Sequence, residues 1–233
     1  MTPQARIVGL TSMATKYVLA ELALEYERRT GTPVTCEFAA GVEAARRVER
    51  REPLDFVVLA ADAIDRLAAK GVLSGSRVDI AASGVAVAVK KGARAPDIGS
   101  EAAVRDAVAR ARTVGYSTGP SGVYLLQLFE RWGIAETVKA RLVQAPPGVP
   151  VGAMIEAGEV DLGFQQLSEL IHVPGIRVVG ALPDAIQITT TFSGAVCATS
   201  SRPEATREWL MFAASPEATP AKARNGMQFP RFS

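Results

Sequence analysis

The sequence predicts an α/β protein of two lobes, with mixed, mostly parallel sheets and two hinge strands between the lobes. Three observations lead there. Short apolar strands alternate with amphipathic helices along the chain, the order that builds βαβ units and parallel sheets covered on both faces. A polar break at Lys90-Lys91-Gly92-Ala93-Arg94-Ala95-Pro96 follows a strand that enters it from Ile80-Ala81-Ala82-Ser83-Gly84. Much later a long Thr-rich extended run, residues 186–198, takes the chain back. The 233 residues, 48% hydrophobic and 21% charged, are enough for one large core or two smaller ones.

The first strand is expected over residues 6–10, where Ile7-Val8-Gly9-Leu10 is apolar; Thr11-Ser12 then leads into a helix over 13–30. Its buried stripe is Val18, Leu22 and Tyr26, and Gly31 and Pro33 close it. Strands over 33–38 and 54–60 alternate with helices over 42–51 and 63–70. The strand over 85–90 ends the first crossing. Ser100 before Glu101 starts a helix over 100–111 with the stripe Val104, Ala107 and Val108. Strands over 113–116, 142–144, 160–164 and 177–180 then alternate with helices over 123–132, 151–157 and 166–171. The run Gln187-Ile188-Thr189-Thr190-Thr191-Phe192 favours strand through its β-branched residues. Pro203-Glu204 opens a helix over 203–213 carrying Trp209, Leu210 and Phe212, and a last helix covers 216–224. The lobes expected are 1–82 with 192–233, and 83–191.

The stretch richest in chemistry is Tyr116-Ser117-Thr118-Gly119-Pro120-Ser121-Gly122, a hydroxyl- and glycine-rich turn between a strand and a helix. A helix beginning this way offers free N–H groups, the positive end of its dipole and hydroxyls, which suits a small anion. Thr11-Ser12 makes a second such junction. Helix capping alone also accounts for Thr11, Ser12, Ser117 and Ser121. Two anion-ready turns on separate units suggest a cleft.

Bulk properties exclude several classes. A net charge of +2, from 26 basic and 24 acidic side chains, does not provide the clustered basic face of a nucleic-acid binder. The dense run Arg46-Arg47-Val48-Glu49-Arg50-Arg51-Glu52 mixes both signs and reads as a solvated helix end. No apolar run approaches the ~20 residues of a spanning helix, so membrane insertion is not expected. His172 is the only histidine, which argues against zinc or haem, and neither metal nor cofactor is expected. Cys36 and Cys197 lie in strand-like runs far apart; two buried thiols are favoured, with a disulfide left open. No secretory h-region follows Met1, so the expectation is a cytoplasmic protein, or a periplasmic one whose signal segment was removed.

Several segments together resemble a known family. They are Gly9-Leu10-Thr11-Ser12-Met13-Ala14, Phe38-Ala39-Ala40-Gly41, Pro53-Leu54-Asp55-Phe56-Val57-Val58-Leu59-Ala60-Ala61-Asp62, Pro120-Ser121-Gly122-Val123-Tyr124, Gly158-Glu159-Val160-Asp161-Leu162-Gly163-Phe164-Gln165-Gln166 and Lys222-Ala223-Arg224-Asn225-Gly226-Met227. In this order the chain resembles the type 2 periplasmic binding proteins of the molybdate-binding group. The resemblance implies two lobes closing by a hinge over a small anionic ligand, and an ABC transporter permease as a partner. It places Ser12, Ala40 or Gly41, Ser121, the Gly148-Val149 region and Gln166 at the ligand; Thr11, Ser117 and Gly122 belong to the same loops. The chain departs from the molybdate pattern. Ala39-Ala40-Gly41-Val42 replaces a serine-rich loop, and Gln166 stands where molybdate binders carry a tyrosine. Fewer hydroxyls and an amide that also accepts argue for a carboxylate rather than a tetrahedral oxyanion. Lys16 and Arg46 are candidate cations, each also readable as an exposed charge on a helix face.

Some proteins resembling this group are isomerases of unsaturated tricarboxylic acids such as aconitate, so an enzyme stands as the alternative to a receptor. An allylic proton shift needs an oriented acid or base and donors for the developing anion. Tyr116, Glu43 and Glu169 lie near the loops, but each has an ordinary reading: a strand end, a first-turn acid and a solvated helix face, respectively. The turn Gly119-Pro120-Ser121-Gly122 lacks the lysine of a P-loop, and His172 reads as a helix end rather than a serine's partner. A regulator's effector domain shares the fold, but no helix-turn-helix precedes Arg6.

Overall fold

A computed structural model describes residues 6–230. Its elements run β1 (Ile7–Ser12), a 3₁₀ turn (Met13–Thr15), α1 (Lys16–Thr30), β2 (Val34–Ala39), α2 (Gly41–Glu49), β3 (Phe56–Ala60), α3 (Ala61–Ala69) and β4 (Leu73–Lys90). There follow α4 (Glu101–Arg110), β5 (Val114–Tyr116), α5 (Pro120–Arg131), α6 (Ala135–Val138), β6 (Leu142–Gln144), α7 (Val151–Ala157), β7 (Leu162–Gln166) and α8 (Leu167–Leu170). The chain ends with β8 (Ile176–Ala181), β9 (Thr189–Cys197), α9 (Pro203–Ala214) and α10 (Thr219–Arg224). Contacts divide it into one unit of Met1–Ala82 with Thr191–Ser233 and another of Ser83–Thr190, and the chain passes between them within β4 and β9.

In the first unit the strand order is β2-β1-β3-β9-β4. β1 is parallel to β2 and β3, placing Ser12 opposite Ala39 and Thr11 opposite Val58, while β9 runs antiparallel to β3. Trp209, Phe56, Leu19 and Leu22 pack on one face of this sheet, and Leu10, Val57, Ile64 and Leu67 on the other. The α1 stripe is Val18, Leu19, Leu22, Ala23 and Tyr26, and Gly31 ends the helix in the left-handed region at φ 73°, where glycine carries no Cβ penalty.

In the second unit β5 lies between β6 and β7, parallel to both, and β4 pairs antiparallel with β7 and β8. Phe129, Leu125, Val104 and Phe164 fill one side; Val151, Ile155, Val160 and Leu170 fill the other. Ser100 Oγ accepts from the Ala103 N–H at 3.2 Å, so the expected cap of α4 is present.

Several expected boundaries are corrected. The helix expected over 13–30 opens as a 3₁₀ turn, and α5 begins at Pro120 rather than residue 123 because proline suits a first helical position and absorbs the Ser-Gly that reads as turn. β7 covers Leu162–Gln166 rather than 160–164, since its register is set by β5: the Leu162 N–H donates to Thr113 O at 3.2 Å. α8 then shortens to Leu167–Leu170. β4 is 18 residues long, whereas only 85–90 was expected. The short α6 was not expected at all. Cys36 and Cys197 are free thiols; Cys197 is buried but Cys36 is half-buried, and burial pushes both up to about 12. The mixed-sign run is a network of ion pairs, Arg47 with Glu37 and Glu52, and Arg50 with Glu43 and Glu52.

Candidate functional site

Parallel strands gather the candidate residues within each unit. Ends of parallel strands followed by helices bring N–H groups to one edge of a sheet, the usual place for ligands in open α/β sheets. In the first unit β1, β2 and β3 all end on that edge, and the 3₁₀ turn, α2 and α3 start there. The registers bring Thr11 and Ser12 beside Ala39, with Ala40 as the N-cap of α2 and Gly41 its first residue.

The polar inventory of this edge is small. Thr11 is wholly buried and its Oγ1 reaches Ser12 O only at 3.5 Å; Thr15 Oγ1 donates to the same carbonyl at 3.0 Å. Ser12 is buried, caps nothing, and its Oγ has no hydrogen-bond partner among the described residues. Capping therefore does not account for Ser12. A buried hydroxyl without a partner carries a desolvation cost of about 1–3 kcal/mol, which an incoming acceptor would relieve. Lys16 is half-buried, with Nζ 5.5 Å from the Tyr17 ring centre and 6.0 Å from that of Phe38. Among the described residues it forms no salt bridge, whereas Arg46 is simply exposed.

In the second unit β5, β6 and β7 end together: Tyr116 is opposite both Gln144 and Phe164, and the Ala145 N–H donates to Tyr116 O at 2.9 Å. Ser117 and Ser121 share a hydrogen bond at 3.1 Å between their hydroxyl oxygens, and Ser121 is buried. The N-cap of α5 is Gly119 and no side chain caps it, so the capping reading of Ser117 and Ser121 is corrected too. A Cβ on Gly122 would stand 1.9 Å from Ser117 O, so this turn closes only around a glycine. Val149, 40% exposed, spends its N–H on Pro146 O at 3.0 Å, leaving the side chain as what it can offer.

Adjacent glutamines at the end of β7 point to opposite faces, as strand neighbours must. Gln166 Nε2 donates to Thr190 Oγ1 at 2.8 Å, both buried. Gln165 Oε1 accepts the Val151 N–H at 2.8 Å at the start of α7. Burial pushes the Glu169 carboxyl up to about 7. Glu169 is half-buried rather than on a fully solvated face, because α8 packs against α7, β7 and β8. Glu43 is exposed and ion-paired to Arg50, and Tyr116 is half-buried at its strand end.

Sequence reasoning passed over Gln165, whose role depends on the fold, and the buried Ser168 Oγ, which lacks a partner among the described residues. A cavity of about 350 Å³ in the first unit, lined by Arg77, Val78, Asp79, Ala214, Phe229 and Pro230, contains none of the strand-end residues. Among the described residues no three His, Cys, Asp or Glu side chains are grouped to hold a metal, and no helix is long and apolar enough to cross a membrane.

Comparison with known proteins agrees with this architecture. An aconitate isomerase from Pseudomonas sp is 39% identical, over 97% of this chain and 88% of that protein. The molybdate-binding protein ModA of Escherichia coli (strain K12) is 20% identical over 79% of this chain and 74% of its own length. Among solved structures, the periplasmic molybdate-binding protein of Azotobacter vinelandii superposes with a TM-score of 0.80 at 18% identity, covering 97% of this chain and 100% of that one. The fold is that of the type 2 periplasmic binding proteins. Residues 7–228 match the family of bacterial extracellular solute-binding proteins, and the chain belongs to that family.

Proposed function

We propose that the protein binds a small polycarboxylate through its strand-end loops and isomerises it, the substrate being an unsaturated tricarboxylic acid of the aconitate type. The observation that carries this reading is the 39% identity with an aconitate isomerase along 97% of the chain, against 20% with a molybdate binder. The residues support it. Ala40 and Gly41 stand at the start of α2, where first-turn N–H groups are exposed and nothing lies within 4 Å of a Cβ placed on Gly41, Ser12 has an unsatisfied hydroxyl, and Gln166 carries an amide. Hydroxyls and N–H groups accept a carboxylate without a fixed counter-cation.

The reaction is an allylic proton shift. A C–H bond beside one carboxylate is weakened by the adjacent double bond, and proton loss spreads negative charge over the conjugated system. Donors already aimed at the carboxylates hold that charge. Return of the proton to the far carbon moves the double bond and exchanges the isomers. The group that moves the proton works best with a pKa near the operating pH.

A second reading, a receptor handing a carboxylate to an ABC transporter permease, is favoured by the family match itself. Melting curves with cis- and trans-aconitate, other di- and tricarboxylates, molybdate, tungstate, sulfate and phosphate test the ligand class. A ligand at 100 times its Kd adds about 2.7 kcal/mol of stability. Proton NMR in D₂O with the best ligand then decides the rest. Interconversion or deuterium uptake is expected; a shift with carboxylates and an unchanged spectrum means receptor, and a shift with molybdate or tungstate alone overturns both readings.

A further inference from the structure

The strand-end edge of the first unit is electrostatically one-sided. Two acidic side chains stand in the first turns of helices that start there, Glu43 on α2 and Asp62 on α3. Each is ion-paired, Glu43 with Arg50 at 3.2 Å and Asp62 with Arg66 at 2.7 Å. Neither the 3₁₀ turn nor α1 has an acid in its first turn. The helix starts add N–H groups and the positive ends of their dipoles. Lys16 brings a full charge to this edge that no acid cancels, since among the described residues it forms no salt bridge.

Its place in the chain ties Lys16 to Ser12. The two residues cap the same three-residue 3₁₀ turn, Ser12 at its start and Lys16 at its end, and Lys16 opens α1. Side chains on a helix lean toward its N-terminus, which here is that turn. The observed position agrees: Nζ stands 6.0 Å from the ring centre of Phe38, the β2 residue opposite Thr11 and one place before the Ser12–Ala39 pair. The Tyr17 ring centre is 5.5 Å from the same nitrogen. Aromatic faces attract a cation without cancelling its charge as a carboxylate does, so the ammonium is steadied and still open to an anion.

Resting on the polycarboxylate part of the proposed function, we propose that Lys16 is the specificity-determining residue of the site. Its ammonium takes a second carboxylate of the ligand, while neutral donors, the Ser12 hydroxyl and the N–H groups at the start of α2, take the first. The pair selects short carbon chains bearing two or more carboxylates, because a monocarboxylate leaves one of the two places unfilled.

Lys16→Met keeps the length and apolar stem of the side chain and removes its charge. Expected is a loss of about 10-fold or more in affinity for cis- or trans-aconitate, with partial recovery in Lys16→Arg. The melting temperature of Lys16→Met without ligand should stay within about 2 °C of the parent, since no ion pair is lost. Raising salt from about 0.02 to 0.5 M should weaken aconitate binding more in the parent than in Lys16→Met. A Lys16→Met form that binds aconitate within about twofold of the parent overturns the Lys16 assignment alone. Equal losses in Lys16→Met and Lys16→Arg, or a parent affinity that salt leaves unchanged, overturn it as well. A parent that melts higher with molybdate or tungstate and not with aconitate overturns the polycarboxylate reading, and this assignment falls with it.

Discussion

The two units use the same device, helices starting at the ends of parallel strands, and equip it differently. In the first unit the edge is lined by Thr11, Ser12, Ala40 and Gly41, and its buried Ser12 hydroxyl has no partner among the described residues. In the second unit most of the strand-end polar groups are already engaged, Ser117 with Ser121, Gln166 with Thr190 and Gln165 with Val151, while the buried Ser168 hydroxyl on α8 has no partner among the described residues. The contrast suggests a division of labour. An unsatisfied donor gains most when an acceptor arrives, whereas an internally bonded network holds its own groups in a fixed place. On the proposed reading, the free Ser12 hydroxyl of the first unit serves to grip the ligand and the bonded network of the second to orient it.

The largest expected effect tests how rigid the second edge must be. Gly122→Ala sets a Cβ against Ser117 O, a backbone atom that moves only if the turn reopens. Overpacking of this kind costs about 3 kcal/mol. The matching change in the first unit, Gly41→Ala, meets nothing within 4 Å and should leave stability within about 0.5 kcal/mol of the parent. Urea denaturation of the two variants measures both. Equal stabilities would mean that the 117–122 turn is as yielding as the α2 start, and the proposed rigidity would go.

A second, somewhat smaller effect concerns the stability that the half-buried Glu169 carboxyl costs. Glu169 titrates at about 7 in the folded chain against an ordinary 4.5, so its protonated form is the one the fold favours. Its contribution is fully present below about pH 4.5 and lost as the pH rises through 7. Glu169→Gln, which stays neutral, should match the parent near pH 4.5 and exceed it by about 2 kcal/mol at pH 8. Denaturation at several pH values reads this directly. A variant equally stable at both ends would show the carboxyl to be solvated, as its sequence position alone suggests.

That carboxyl also marks the limit of what is legible in the sequence. Alternating apolar runs and hydroxyl-rich turns are local signals, so the residues alone disclose most strands, the Gly31 helix end, the Ser100 cap and both anion-ready junctions. They do not disclose the first half of β4. Leu73-Ser74-Gly75-Ser76-Arg77 looks like a loop, and its strand state comes from pairing with β9, over a hundred residues away. The pKa of Glu169, the opposed roles of Gln165 and Gln166 and the missing partner of Ser12 are likewise products of tertiary packing. The sequence locates the loops, whereas burial determines which of their hydroxyls and carboxyls are left with work to do.

The smallest predicted effects separate the two serines and so test the division of labour most directly. Ser121→Ala breaks the bond to Ser117 and should lower stability without ligand by about 1 kcal/mol. Ser12→Ala removes a hydroxyl that bonds to nothing among the described residues, so the ligand-free protein should hold or slightly gain stability. Toward ligand the order reverses. Loss of a charge-assisted hydrogen bond should cost Ser12→Ala about 1.5 kcal/mol of binding to aconitate, and Ser121→Ala about 1 kcal/mol, since Ser117 remains beside it. Melting curves with and without aconitate give both quantities from one preparation. If Ser12→Ala binds as tightly as the parent, Ser12 does not touch the ligand, and its unpartnered hydroxyl is a packing defect rather than half of a grip.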